Sequence, residues 1–368
     1  MKANGSTDQE LDNTLKLTEG CEELDIFSPP KIPRAVLPKD YADKKSIDYL
    51  RALCVQGYKE RFPNNSKEYA KTIGERVKME LADIHECGLT DYFLMIYTII
   101  NWCKNQNILT TSRGSAAGSM VNYLLGLCTN DPIKYGLLWE RYFNKGRVIE
   151  KEDGTKIYNL PDFDADVQAS QRQRIIQFLR DKYGSDNIGQ IVTFSTLKGR
   201  NALKDTCNAL GTFSDTEVNK VTALMPEEHI IDDDLRVLAE DFGYRSIIQY
   251  CLTHMDKIFA PYARLENNGT ISGLMAKEFT IARSLEGIVR SIGIHAAGII
   301  VSVGEETLTS TMPMTNSGKN DKVIAIDMDN IEKYGCVKFD LLGSATLDAI
   351  KSMENFINTG KYIIYEKP

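Results

Sequence analysis

The sequence predicts an α+β fold, and the patterning of apolar residues carries this prediction. Apolar residues recur at helical spacing over residues 46–106, and a second, mostly helical stretch covers about 195–289. Short runs rich in β-branched residues lie between and after these stretches, at residues 188–194, 298–303, 323–327 and 336–340. Strands and runs of helices in this order are typical of an α+β domain.

Composition sets limits on the function. At 368 residues the chain is long enough for two or three domains, and 42% hydrophobic residues supply their cores. The net charge is −7, so the basic balance of many nucleic-acid-binding domains is missing, although a local basic face is enough to bind DNA. No segment has the length and apolarity of a membrane span, and the polar start is no signal peptide. Eight scattered cysteines without a Cys-x-x-Cys pair indicate reduced thiols in a cytosolic protein.

The first candidate site is a turn rich in glycine and serine, with the sequence TSRGSAAGS at residues 111–119. It precedes apolar residues that are spaced as one face of a helix. Gly114 and Ser115 allow close approach to the backbone, N–H groups at a helix start favour phosphate, and Arg113 adds a forked cationic donor. The turn therefore predicts a phosphate cradle. The alternative is an ordinary Ser-capped turn packed against a neighbouring helix.

Two later stretches predict a cluster of carboxylates. In the sequence PDFDAD at residues 161–166, alternate residues of a strand point to one face, so Asp162 and Asp164 lie side by side and Asp166 continues the row. A second short apolar strand, VKFD at residues 337–340, supplies a third aspartate. Grouped carboxylates repel one another unless a cation lies between them, and Mg²⁺ prefers oxygen ligands. Three aspartates from two strands suit a two-metal phosphoryl-transfer site, whereas an isolated Asp-x-Asp is usually a solvated edge or turn.

A basic group follows the strand predicted at residues 188–194. Lys198, Arg200 and Lys204 lie on a predicted helix and are the best local candidates for binding DNA; the alternative is a solvated helix face. Among the four histidines, His295 is a candidate to line the site because it lies in a Gly/Ala-rich turn.

Six motifs occur in an order that resembles one protein family, the C-family bacterial replicative DNA polymerases, or DNA polymerase III α subunits. The motifs cover residues 113–119, 139–144, 161–164, 190–194, 293–298 and 337–343. The resemblance runs from about residue 13 to about residue 358. It implies a β-type nucleotidyltransferase palm, a mixed sheet with flanking helices, into which a helical thumb is inserted. The implied activity is template-directed DNA synthesis in a bacterial cytoplasm, by a cellular or phage-encoded enzyme.

The resemblance also implies a division of the chain into four parts. These are a partly irregular extension (1–45), the first part of the palm (46–193), a helical thumb (194–289), and the second part of the palm with a C-terminal helix (290–368). The family enzyme is far longer, and its PHP, fingers, clamp-binding and OB regions have no counterpart here. We therefore expect a fragment, or one piece of a split or phage-type polymerase.

Two other functions stay open. One is a DNA-binding or assembly subunit that gains activity only with a separate chain carrying fingers. The other is a template-independent nucleotidyltransferase of the same palm class, against which the long helical insert and the polymerase motifs argue.

Residue by residue, the resemblance implies that Asp162, Asp164 and Asp340 bind two Mg²⁺ ions, with Asp166 secondary. The first two aspartates are expected to bridge the ions and Asp340 to complete the first, so that one ion activates the primer 3′-hydroxyl and the other binds the triphosphate. The residues expected to contact the nucleotide are Arg113, Gly114, Ser115, Arg141, Arg147, His295 and Lys338. The implied partners are primer–template DNA, deoxynucleoside triphosphates and a separate chain with fingers and clamp-binding regions.

This sequence departs from the family pattern at two places. Ile294 stands where the family commonly has a lysine before the histidine, so one positive contact to phosphate is missing. The run at residues 148–160 is longer than the usual passage into the Asp-x-Asp strand, and Asp153-Gly154 within it predicts a hairpin turn beside the site.

Overall fold

The computed structural model describes residues 7–19, 31–146, 148–150, 156–158, 160–227, 230–231, 235, 246–302, 307–316 and 322–363. The chain divides into two compact units. The first unit comprises Met1–Val192 and Ile294–Pro368, and the second unit comprises Thr193–Gly293. In the described part of the chain, every helix is too short or too polar to cross a bilayer.

Helices dominate the start of the first unit. They are α1 (Asp8–Glu19), α2 (Ser46–Arg61), α3 (Lys67–Glu86) and α4 (Thr90–Asn105). The periodicity of residues 46–106 predicted the last three. α4 is largely interior because apolar side chains occur on nearly all its sides, and nine of its residues are buried. α1 lies within the segment predicted to be partly irregular, and none of its residues is buried.

Eleven strands occur among the described residues: β1 (Thr110–Ser112), β2 (Val148–Glu150), β3 (Lys156–Tyr158), β4 (Asp164–Gln168), β5 (Ile188–Thr196), β6 (Arg264–Leu265), β7 (Ile271–Ser272), β8 (Val289–Val301), β9 (Met314–Asn316), β10 (Lys322–Ile324) and β11 (Lys338–Ser344). Seven of them form a mixed sheet in the order β1-β4-β11-β8-β5-β10-β9. β4 and β11 are parallel neighbours, while β1 and β8 flank them antiparallel. The predicted α+β class with a mixed sheet is confirmed.

Further helices of the first unit are α5 (Met120–Leu124), α6 (Trp139–Tyr142) and α7 (Arg172–Tyr183). The second unit is mostly helical, with α8 (Gly199–Leu210), α9 (Asp215–Ala223), α10 (Ile247–His254), α11 (Asp256–Phe259) and α12 (Ala276–Leu285), and it has its own core around Leu203, Phe259 and Phe279. The chain returns to the first unit for α13 (Leu308–Thr311), α14 (Met328–Ile331) and α15 (Ala345–Thr359).

Two local predictions concern the hairpin before the Asp-x-Asp strand and the turn around His295. The longer run before the Asp-x-Asp strand does form a hairpin, because β2 and β3 pair antiparallel; the predicted turn at Asp153-Gly154 lies outside the described residues. The Gly/Ala-rich segment around His295 was predicted as a turn, and this prediction is wrong. It belongs to the 13-residue strand β8, which lies between β11 and β5 in the sheet although its glycines and alanines give no strand signal.

Candidate active site

Three carboxylates converge at the adjoining strands β4 and β11. Asp162, Asp164 and Asp340 each offer an oxygen within 4.8 Å of the others. Asp164 and Asp340 are direct register partners on the two parallel strands, so their side chains leave the sheet next to each other. Asp162 was predicted to alternate with Asp164 on one strand; it instead precedes β4, in irregular backbone. Two of the aspartates therefore come from adjoining strands, and the third comes from the irregular segment before β4 rather than from an alternate position of that strand.

The charges of this cluster are only partly balanced. Partial burial raises the pKa of the Asp162 carboxyl, and the neighbouring Asp164 charge raises it further, while Lys338 opposes the shift. Lys338 Nζ lies 2.8 Å from Asp340 Oδ2. Asp340 Oδ1 is buried and accepts no hydrogen bond from any described residue. Three crowded carboxylates with an unpartnered buried oxygen fit a hard divalent cation, which takes carboxylate oxygens as ligands.

Tyr92 of α4 fixes the backbone that carries Asp162. Its hydroxyl donates a 2.6 Å hydrogen bond to the carbonyl of Pro161, and its ring stacks on Phe339 with 5.7 Å between centroids. Burial raises the pKa of the Tyr92 hydroxyl, which keeps it a donor. Because Asp162 has no strand partner, this hydrogen bond replaces the ladder that holds the other two aspartates.

Arg172 of α7 supports the strand that carries Asp340. Its Nε donates a 2.8 Å hydrogen bond to the carbonyl of Leu341, and its Nη2 donates a 3.2 Å bond to the carbonyl of Ala297. One guanidinium thus joins β11 to β8 immediately beside the third carboxylate. The bond is possible because a planar guanidinium presents several donors in a fixed fork.

The glycine-serine turn forms a 3₁₀ turn, Gly114–Gly118, followed by α5. Gly114 has φ +65°, and a Cβ built on it meets nothing within 4 Å, so the space beside its backbone is open. The first N–H groups of a helical segment have no partner within it. Gly114 and Ser115 are exposed, so a ligand can reach the point where the turn begins.

The start of α5 itself is not available to a phosphate, which corrects part of the sequence prediction. The carboxylate of Glu80 accepts hydrogen bonds from Met120 N, Val121 N and Ser119 Oγ, each 2.9 Å long. Arg76 Nε donates a 2.7 Å bond to the same carboxylate. Burial raises the pKa of the Glu80 carboxyl, and these hydrogen bonds oppose the shift. An internal anion therefore occupies the helix start, and only the 3₁₀ turn remains open.

Arg76 also reaches the backbone around the turn. Its Nη2 lies 2.9 Å from the carbonyl of Gly118 and 3.4 Å from that of Leu137. A Cβ on Gly118 would lie 2.4 Å from the carbonyl oxygen of Leu138, so only glycine fits between these segments. Arg76 and Glu80 thus connect α3 to the end of the 3₁₀ turn at Gly118 and to the start of α5 at Met120.

The predicted cationic contacts have mixed placements. Arg113 Nε lies 3.0 Å from Asp166 Oδ1, so Arg113 is paired with the aspartate that lies outside the carboxylate cluster. Arg141 is exposed on α6. Arg147 lies outside the described residues. Ile294 is half-buried on β8.

His295 is engaged by the backbone of its own strand. Its Nδ1 accepts a 2.7 Å hydrogen bond from Gly298 N and a longer 3.3 Å bond from Ala297 N. This arrangement leaves Nε2 as the ring nitrogen that can meet a ligand. Gly298 is the register partner of Asp340, so the histidine orders backbone next to the third carboxylate.

The basic residues predicted to bind DNA belong to the second unit. Lys198 is exposed at the start of α8, and Lys204 is half-buried within it. Arg200 donates a hydrogen bond to the carbonyl of Met225 and lies 3.9 Å from Glu227, so part of its guanidinium serves the unit itself. None of these three residues is part of the carboxylate cluster.

Sequence reasoning missed Glu80, Tyr92 and Arg172. One signal was present for Glu80, which lies seven residues after Ile73 and four before Ile84, on the buried face of α3. A charged residue on an apolar helix face indicates a buried partner. The hydrogen bonds of Tyr92 and Arg172 join segments far apart in the sequence and left no local pattern.

Comparison with known proteins agrees with the geometry. The sequence model described as "Bacterial DNA polymerase III alpha NTPase domain" matches residues 48–343. Proteins named DNA polymerase III subunit alpha are similar to most of the chain. That of Aquifex aeolicus is 30% identical over 94% of this chain, that of Treponema pallidum 32% over 96%, and that of Bacillus subtilis 30% over 94%. The chain spans only 29%, 27% and 27% of these three relatives. The chain therefore belongs to the bacterial DNA polymerase III α-subunit family.

Proposed function

We propose that this chain is the palm and thumb portion of a C-family replicative DNA polymerase, acting in a bacterial cytoplasm by two-metal nucleotidyl transfer. The observation that carries the proposal is the convergence of Asp162, Asp164 and Asp340 within 4.8 Å in a member of this family. The second unit, residues 193–293, is proposed as the thumb, with Lys198 and Lys204 as DNA contacts.

In the proposed reaction Asp162, Asp164 and Asp340 would hold the Mg²⁺ ions through their carboxylate oxygens. When bound, such ions lower the pKa of an attacking hydroxyl and stabilise the leaving pyrophosphate. Tyr92 and Arg172 keep the carboxylates in place through the backbone, because preorganised ligands need no rearrangement during the reaction.

The triphosphate is proposed to bind beside this cluster. Gly114 and Ser115 are exposed at the start of the 3₁₀ turn, and backbone N–H groups at such a start suit phosphate oxygens. Lys338 is adjacent to Asp340, while Arg141 and Arg147 are further candidates from their motif positions. Arg113 and His295 are more restricted, since each already has a partner within the chain.

Activity is proposed to need the regions of the relatives that these residues do not cover, and a separate polypeptide can supply them. The residues span 27–29% of the relatives. Palm and thumb alone leave the incoming base without full positioning or exclusion of water, and both effects contribute strongly to rate. The chain alone is expected to bind primer–template weakly and to extend it little.

A primer-extension assay with Mg²⁺ and all four nucleotides tests the proposal. The chain is assayed alone and together with a polypeptide that carries the part of a relative this chain does not span. Extension is expected only in the combined reaction, and Asp162→Asn, Asp164→Ala or Asp340→Asn is expected to abolish it.

Asp166→Asn is the matched control, because it changes an aspartate of β4 that lies outside the cluster. It is expected to retain most of the activity. Full activity in Asp164→Ala would overturn the assignment of the site, and strong extension by the chain alone would overturn the dependence on a partner.

A further inference from the structure

The closest charged contact inside the cluster is made by a lysine. Lys338 and Asp340 are two residues apart on β11, so their side chains leave the same face of the strand. Lys338 Nζ lies 2.8 Å from Asp340 Oδ2, and the two side chains are only 15% and 11% exposed. This is a well-shielded ion pair, in which water screens the charges weakly.

The ammonium also acts on the rest of the cluster. Three carboxylates within 4.8 Å carry up to three negative charges, and Lys338 offsets part of this charge. The ion pair therefore reduces the repulsion among the aspartates.

The same contact conflicts with metal binding. A divalent ion shared by the three aspartates needs an oxygen of Asp340. Oδ2 is engaged by Lys338, and Oδ1 is the oxygen without a hydrogen-bond partner among the described residues, so an ion on Oδ1 still lies beside the ammonium. An ammonium and a divalent cation beside one carboxylate repel each other strongly where screening is weak.

We infer that Lys338 is the resident counter-ion of the carboxylate cluster and that divalent metal must displace it from Asp340. This inference rests on the proposed metal centre. Once displaced, the ammonium stays beside the site on its flexible four-carbon stem, where it can bind an anion such as a phosphate. Lys338 therefore weakens the binding of the metal and strengthens the binding of the triphosphate.

Two other roles for Lys338 predict the opposite effect on metal affinity. A lysine that merely stabilises β11 leaves the site looser when it is removed, which weakens metal binding. A lysine that orients Asp340 for the metal has the same consequence. Only a competing cation makes its removal strengthen metal binding, so the sign of the change separates these roles.

The test is a titration of the whole chain with Mn²⁺, using the electron paramagnetic resonance signal of free Mn²⁺. Lys338→Met is expected to bind Mn²⁺ about tenfold more tightly than the wild-type chain, since it removes one like charge beside the ion. With Mn²⁺ at a concentration that saturates both proteins, the same variant is expected to bind dATP several-fold more weakly. Lys338→Gln is the second neutral variant, should Lys338→Met fail to fold by circular dichroism.

Lys351→Met is the matched control. Lys351 also makes a 2.8 Å ion pair, with Glu354, and its side chain is also only 11% exposed, but it lies on α15 outside the cluster. Its Mn²⁺ affinity is expected to equal that of wild type. Equal or weaker Mn²⁺ binding by both neutral Lys338 variants overturns the counter-ion role. Absence of Mn²⁺ binding in wild type and all variants overturns the metal centre itself and, with it, this inference.

Discussion

Replacing Glu80 by alanine should lower the unfolding free energy of the first unit far more than replacing an exposed residue of the same helix. The buried carboxylate of Glu80 accepts bonds from Met120 N, Val121 N and Ser119 Oγ, and Arg76 donates a fourth. Removing one partner of a buried ion pair costs about 3–5 kcal/mol, because the other charge stays buried. We expect Glu80→Ala to lose a free energy of unfolding within this range.

Glu80→Gln removes the negative charge of the side chain while nearly preserving its shape. The amide keeps one acceptor oxygen but cannot replace both carboxylate oxygens, and its NH₂ group faces donors. Hydrogen bonds to charged groups contribute about 1.5–3 kcal/mol each, so the loss should be at least about 1.5 kcal/mol. A loss in Glu80→Gln close to that in Glu80→Ala would indicate that charge, rather than packing, carries the effect.

Urea denaturation followed by tryptophan fluorescence is suited to this measurement. The two tryptophans, Trp102 and Trp139, both lie in the first unit, so the signal reports on that unit. Glu75→Ala is the control on the same helix, because Glu75 makes only an exposed 3.9 Å pair with Lys71 and should change stability by less than about 0.5 kcal/mol. If Glu80→Ala is no more destabilising than Glu75→Ala, the reasoning about the buried carboxylate is wrong.

Two further outcomes concern the turn at Gly114 and the hydroxyl of Tyr92. Gly114→Val should cost about 1 kcal/mol because of the positive φ, and it should weaken dATP binding more than primer–template binding; equal loss of both, measured by fluorescence anisotropy, would argue against a phosphate-binding turn. Tyr92→Phe leaves the Pro161 carbonyl unpaired, so it should lose about 1–3 kcal/mol in urea denaturation and bind Mn²⁺ more weakly, whereas Tyr183→Phe removes a buried hydroxyl outside the carboxylate cluster and should keep its Mn²⁺ affinity.

The carboxylates and the turn could be located from sequence because their chemistry is local. Asp162, Asp164 and Asp340 each lie in a short apolar stretch, and a carboxylate there indicates a binding role. The turn at Gly114 was visible because glycine and serine before an apolar helical pattern form a recognisable unit. What could not be predicted was that another residue already occupies the start of α5.

The supporting contacts were out of reach because they depend on tertiary pairing. Arg172 reaches Leu341 across 169 positions, and Tyr92 reaches Pro161 across 69. The length of β8 was underestimated for the same reason, since its strand neighbours, and not the propensity of its glycines and alanines, keep it extended. Local pattern thus pointed to the three carboxylates, and long-range hydrogen bonds support the backbone that carries them.

The second unit occupies the stretch of sequence between β5 and β8, where a loop would otherwise connect the two strands. A Cβ on Gly293 would lie 2.9 Å from Thr193 Oγ1, and Leu197 exchanges hydrogen bonds with Gly287 and Ile288, so the outgoing and returning segments run antiparallel side by side. Chain ends that lie this close are typical of sites where whole domains are inserted or removed. The second unit buries its own core, so an insertion or deletion at these two adjoining segments can exchange or remove it as a whole. The strands that carry the aspartates then keep their pairing.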